Sequence, residues 1–180
     1  MAAAGIRAAS WAGAAALAAG FLIVLAFHGE RPEPGLHRFE PTGLLLDWRI
    51  EDVTALELSA GAEHRSFRRV AGGWRRDPPV GRGPDLDERI ATGLTLLRNS
   101  APVRILAAGE INEGALAEFG LAPPRLTLAV RAAEGRTVTI RFGGANPLAL
   151  ARYTRIDGRP EVILLPAFVP QAWERVMEAQ

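Results

Sequence analysis

The apolar positions of this chain fall into two regimes. From Ala8 to Phe27 the sequence runs 20 residues without a charge. The run is apolar all round, and at about 1.5 Å of rise per residue a helix of that length spans roughly 30 Å, the thickness of a bilayer core. The pattern predicts a single transmembrane helix over residues 8–27. Two other readings compete. One is a cleaved signal peptide, for which Ala16-Leu17-Ala18 and Val24-Leu25-Ala26 supply small residues; the other is a buried helix of a soluble protein. The most apolar part, Phe21 to Phe27, lies beyond the first of those cleavage candidates, which favours an uncleaved anchor.

Beyond residue 50 the apolar positions become periodic. Val53 to Ser59 and His64 to Val70 read as strands joined across Ala60-Gly61-Ala62-Glu63, and Gly72-Gly73 turns the chain towards Trp74. After a Pro- and Gly-rich connection, Asp85 with Glu88 three residues on resembles a capping box, and Leu86, Ile90, Leu94 and Leu97 fall on one helical face. Val103 to Leu106 predicts a short strand and Asn112 to Phe119 a short helix. That helix meets its end at Gly120, which can adopt the left-handed conformation, with Leu121 folding back and Pro123-Pro124 forbidding continuation. Leu126, Leu128 and Val130 then alternate with Thr127, Ala129 and Arg131, the period of two of a half-buried strand. Further strands are expected at Thr137–Phe142, Ala151–Ile156 and Glu161–Leu165, and a closing helix carries Pro170 in its first turn and Trp173, Val176 and Met177 on one face. Strand blocks flanking helices, without regular β-α alternation, predict an α+β fold with a mostly antiparallel sheet and two or three packed helices.

The resulting plan is a short cytoplasmic N-terminus at 1–7, the transmembrane helix at 8–27, a juxtamembrane linker at 28–50 and an exported domain at 51–180. Pro32, Pro34, Gly35, Pro41 and Gly43 break any regular pattern in the linker. Leu44-Leu45-Leu46 with Trp48 is its exception; it is read as joining the core, with a short strand or an interfacial contact as alternatives. Arg7 and the N-terminal amine favour a cytoplasmic N-terminus, Arg31 and Arg38 weigh against it, and long domains translocate largely regardless of such charges. The domain is accordingly placed outside the bacterial cytoplasmic membrane.

Composition narrows the functional classes. The formal net charge is +1, and all 21 basic residues are Arg, a usage that reflects codon bias. After Arg7 the chain carries 20 Arg against 20 acidic residues, a neutrality that argues against nucleic acid as a partner. Zero Cys excludes disulfides, thiolate nucleophiles and thiolate metal sites.

Several of these segments occur together in one known family. Trp74 after Gly72-Gly73, the Pro-rich connection, the amphipathic helix, Phe119-Gly120-Leu121 with Pro123-Pro124, Phe142-Gly143-Gly144 with Asn146-Pro147, and Arg152-Tyr153-Thr154-Arg155 before Asp157-Gly158 stand in its order and spacing. The chain resembles the bacterial domain-of-unknown-function family often encoded beside gliding-motility-type ABC transporters, over about Val53 to Leu165. The resemblance implies one N-terminal membrane helix with an exported domain, and an auxiliary role in ABC-type transport or a gliding-motility-like system. Many members are longer and repeat the unit, whereas this chain has room for one. The family carries over no catalytic residues.

Candidate chemistry is sparse. Gly143-Gly144-Ala145-Asn146-Pro147 follows a strand, but phosphate-cradling loops run into a helix whereas a strand follows here, so a structural turn is expected. Asp85 and Asp87 suit a helix start. His28 and His37 fall in the linker and His64 stands alone in the domain, so neither a metal site nor a Ser-His-Asp triad is expected, and no cofactor is assigned. The one stretch with surface character is the hairpin bearing Arg65, Arg68, Arg69, Arg75 and Arg76, able to meet anionic headgroups, acidic glycan or an acidic partner, although strand alternation sends these side chains to different sides. Tyr153 with Arg152 and Arg155 is a second contact candidate, Tyr153 being read as packing at the core edge. The main expectation is a non-catalytic, membrane-anchored accessory protein that binds envelope or transporter proteins. The alternative is an exported hydrolase or ligand-binding protein acting on envelope glycan, which requires Asp85, Asp87 or Glu88 to converge in a pocket.

Overall fold

Alternating apolar residues pair into a sheet only when a register brings like faces together, and here the apolar rows of β2, β1, β5 and β6 line up in this way. The computed structural model describes residues 17–22, 24, 43–45, 47–79, 85–112 and 114–178. The elements are β1 (Val53–Ala60), β2 (Glu63–Val70), β3 (Gly73–Asp77), α1 (Leu86–Asn99), β4 (Arg104–Leu106), α2 (Ala115–Glu118), β5 (Leu126–Ala132), β6 (Thr137–Ala145), β7 (Ala151–Ile156), β8 (Val162–Pro166) and α3 (Phe168–Glu178). The eight strands form one sheet in the order β3-β2-β1-β5-β6-β7-β8-β4, every neighbouring pair antiparallel. The α+β fold with its large antiparallel sheet is thus the one the periodicity predicts.

The chain divides into two units, Met1–Glu40 and Pro41–Gln180. In the first, residues 17–22 and 24 are helical and exposed. Most of the expected transmembrane segment at 8–27 lies outside the described residues, and among the described residues no helix is long and apolar enough to cross a membrane. The second unit carries the sheet. Of the Leu44-Leu45-Leu46 stretch, Leu45 is buried in its core and Leu44 and Trp48 pack against it, while Leu46 lies outside the described residues.

One face of the sheet is the main core. Phe67 lies opposite Leu56, Leu56 opposite Val130, and Val130 opposite Val138; the next row runs Leu58, Leu128, Ile140 and Ile156. On these rows lie Ile90, Leu94 and Leu97 of α1 and Val169, Trp173, Val176 and Met177 of α3. The two helices are antiparallel, since Arg89 donates to the carbonyl of Arg175 at 3.2 Å and Gly93 faces the Trp173 indole. A Cβ on Gly93 would fall 2.8 Å from the Trp173 ring, so glycine sets how closely the helices approach.

The opposite face is covered at one side alone. There Phe119 stacks on Tyr153 with centroids 4.2 Å apart, and Ala115, Leu121, Val162 and Leu164 are buried. β8 reads Val-Ile-Leu-Leu without alternation because both of its faces are covered.

Two local expectations are corrected. Gly143 and Gly144 do not form a turn; β6 continues to Ala145, and its register against β7 shifts between Phe142 and Ala145. The reason is the chain that crosses it: Gly144 N–H donates to the Phe119 carbonyl at 2.7 Å, and a Cβ on Gly143 would lie 2.3 Å from that same oxygen. The capping box at Asp85 and Glu88 also does not form. Asp85 has φ −111° and ψ 10°, outside the extended geometry a capping side chain needs, and makes no side-chain cap bond.

The glycine contacts are testable by thermal unfolding of the full chain. Gly143→Ala should cost about 3 kcal/mol, because backbone rather than a side-chain tip must move, whereas Gly109→Ala, with no atom within 4 Å of the new Cβ, should change little. Gly93→Ala gains roughly 1 kcal/mol of helix propensity and should still destabilise the protein, because overpacking against Trp173 costs about 1–3 kcal/mol; a raised midpoint would show that α1 and α3 can separate freely.

Candidate functional site

The Arg-rich hairpin is split by the pleat of β2 and β3. Arg65, Phe67 and Arg69 of β2, with Trp74 and Arg76 of β3, point to the helix side; Arg68 and Arg75 point to the open face. Arg69 is architectural. Its guanidinium donates to the carbonyls of Ile50 at 3.2 Å and Glu51 at 2.7 Å, and lies 5.0 Å from the Trp74 ring centre, holding the 3-10 turn Ile50–Asp52 against the sheet. Trp74 is buried, and its backbone N–H donates to the Asp87 carboxylate, which fastens β3 to the first turn of α1.

Arg65, its side chain 17% exposed and 4.0 Å from Glu63, lines a cleft of about 480 Å³ between the β1–β2 turn, the start of β5 and the end of α3. Arg125, Glu174 and Glu178 complete its charged lining, and Arg152 binds Glu174 at 3.1 Å. Sequence reasoning did not bring these residues together. The signal was present in part, since alternation puts Arg152, opposite Leu165, on the helix side of β7. Acid and guanidinium balance one another in this cleft, so it presents no field of one sign.

The open face is formed by β3, β2, β1, β5 and β6, and among the described residues no helix covers it. It carries Arg68 bound to Asp77 at 3.3 Å, Arg131 to Glu57 at 3.4 Å and Arg141 to Asp157 at 2.7 Å. Hydrogen bonding to Asp157, reinforced by its charge, raises the Arg141 pKa further above its already high ordinary value. Pairs this exposed contribute little to stability, which leaves their side chains available to a partner. His64, the one histidine of the domain, bridges two hydroxyls: its ring nitrogens lie 2.9 Å from Ser59 Oγ and 3.1 Å from Ser66 Oγ. Cross-strand pairing of Ser59 with His64 creates the chain of contacts, and the register puts all three on the open face.

The residues around Gly120, Pro123-Pro124 and Asn146-Pro147 build a joint. Gly120 takes φ 65°, Leu121 N–H donates to the Leu116 carbonyl at 2.8 Å, and after Pro123 and Pro124 Arg125 N–H donates to the Phe142 carbonyl at 2.9 Å. Asn146 Oδ1 accepts from Leu150 and Ala151 at 3.0 Å each, closing the turn that begins with Pro147. Of the carboxylates the hydrolase alternative requires, Asp87 is turned to β3, while Asp85 and Glu88 are exposed and line a cleft of about 220 Å³ together with Arg89 and Arg175. Among the described residues no three His, Asp or Glu groups gather as metal ligands. No protein-family model, curated protein or solved structure matches the chain.

Two Arg substitutions separate support from surface. Arg69→Ala should lower stability by about 1–3 kcal/mol, because it removes two charge-assisted bonds and the Trp74 stack, while Arg75→Ala, exposed on the open face, should stay within about 0.5 kcal/mol. Equal effects in thermal unfolding would mean that the hairpin side chains are not divided in this way.

Proposed function

We propose that the protein is a membrane-anchored, non-catalytic accessory component of the bacterial cell envelope, held in the cytoplasmic membrane by residues 8–27, with its domain exported and binding a partner protein. The observation that carries this reading is the open face of the sheet. Five strands present a broad polar surface with cross-strand ion pairs, the kind of charge pattern that selects a partner and speeds encounter more than it stabilises the fold. The 20-residue uncharged run at Ala8 to Phe27 supports the anchor. The family resemblance makes ABC-type transporter subunits the first partners to look for.

The test is gentle detergent extraction of the tagged full chain from its native membrane and identification of what accompanies it. A triple variant, Arg68→Glu, Arg131→Glu and Arg141→Glu, is compared with the unaltered chain. Near-stoichiometric recovery of an envelope subunit, reduced at least about tenfold in the triple variant, is the expected result. Recovery of the same subunit with both chains would place the contact off the open face. Recovery of the protein by itself would sink the accessory reading.

A further inference from the structure

We propose that one corner of the domain, carrying Val103, Leu148, Leu150 and Phe168, is the surface by which it rests on the lipid–water interface. The proposal depends on the membrane-anchored reading above and adds the orientation of the domain to it. These four side chains are 63%, 74%, 71% and 51% exposed. They come from three separate segments that the fold brings together. Ala167 N–H donates to the Leu150 carbonyl at 3.0 Å, which sets the β6–β7 turn beside the start of α3, and Val103 N–H donates to Leu164 on the other flank of β8.

The turn that presents the two leucines is preorganised. Asn146 Oδ1 accepts two backbone N–H groups, Pro147 fixes its own φ, and Ala149 is held at φ 57°, a conformation that disfavours any side chain. An apolar loop tip held in strained backbone, with its leucines projecting into solvent, contributes nothing to the core; such strain collects where a surface is used.

Three observations select lipid as the occupant. The segments 101–103, 146–151 and 166–170 contain no charged residue, so no ionised side chain of theirs has to leave water when the corner enters the headgroup region. The corner projects from a turn and a helix start, so it suits a fluid layer that closes around it. The first described residues of the domain, 43–45, join it at the end of α1, where Leu44 N–H donates to the Leu97 carbonyl. Because α1 and α3 are antiparallel, that end lies beside the start of α3 and thus beside the corner. The 15 residues 28–42 reach at most roughly 50 Å when extended, which limits how far the domain can stand from an anchor at 8–27.

The absence of Cys makes the test direct. Leu148→Cys, Phe168→Cys, Arg75→Cys on the opposite sheet edge and Phe21→Cys in the anchor are each labelled with an environment-sensitive fluorophore. The full chain is reconstituted in vesicles of phosphatidylethanolamine and phosphatidylglycerol with brominated acyl chains. Labels at 148 and 168 should shift to the blue and be quenched several-fold more strongly than the label at 75, with 21 quenched most. If 21 is quenched while 148 and 168 match 75, the corner is not a lipid contact and the anchor stands; shielding of 148 that appears with added envelope protein in place of lipid has the same meaning. If 21 is not quenched, the anchored reading falls and this proposal falls with it.

Discussion

The contact on which the domain depends is the approach of the Phe119 carbonyl to the backbone of β6. At that point two stretches of main chain meet with no side chain between them, and a hydrogen bond from Gly144 closes the gap. Three consequences follow from the one contact. β6 bulges, the chain leaving α2 is fixed in the direction that β5 takes up, and Phe119 is set on Tyr153 over the otherwise bare side of β7 and β8. β5 pairs with both β1 and β6, so the joint also determines where the first hairpin meets the second half of the sheet. A methyl group at Gly143 would disturb all of these together, because the obstacle is a backbone oxygen with no rotamer to change.

Much of this architecture could be read from the residues. Leu126, Leu128 and Val130 alternate because one face of β5 is buried, and Ile90, Leu94 and Leu97 recur at helical spacing because one stripe of α1 is. Those periods are local, and local reasoning recovers them. What was not legible was long-range. Gly143-Gly144 reads as a turn in isolation, and its role as a bulge exists because residue 119 arrives there. Asp85 looked like the cap of α1, yet the acid that secures the helix is Asp87, whose partner is a backbone N–H in β3. The cleft was illegible for the same reason: Arg65, Arg125 and Glu174 share no sequence neighbourhood, and the fold alone assembles them.

The sheet divides its labour between its faces. The helix side holds the apolar mass and even recruits Arg69, whose charge is spent on two carbonyls and an indole, so a basic residue in a conspicuous cluster serves as a strut. The other side keeps its charges paired and exposed. A count of arginines in the hairpin cannot tell these apart, whereas the pleat can, and the division shifts attention from the hairpin to the face that Arg68 shares with Arg131 and Arg141.

The pairing of β1 with β5 sets Leu56 opposite Val130, and α3, which covers the core beside α1, begins at Phe168. A chain emerging from a ribosome or a translocation channel therefore offers β1 no central neighbour until β5 has followed it out. When β8 is complete, every strand is present and part of the apolar surface still lacks its lid. The apolar face of the sheet is therefore closed by the last element of the chain, where Trp173 packs on Gly93.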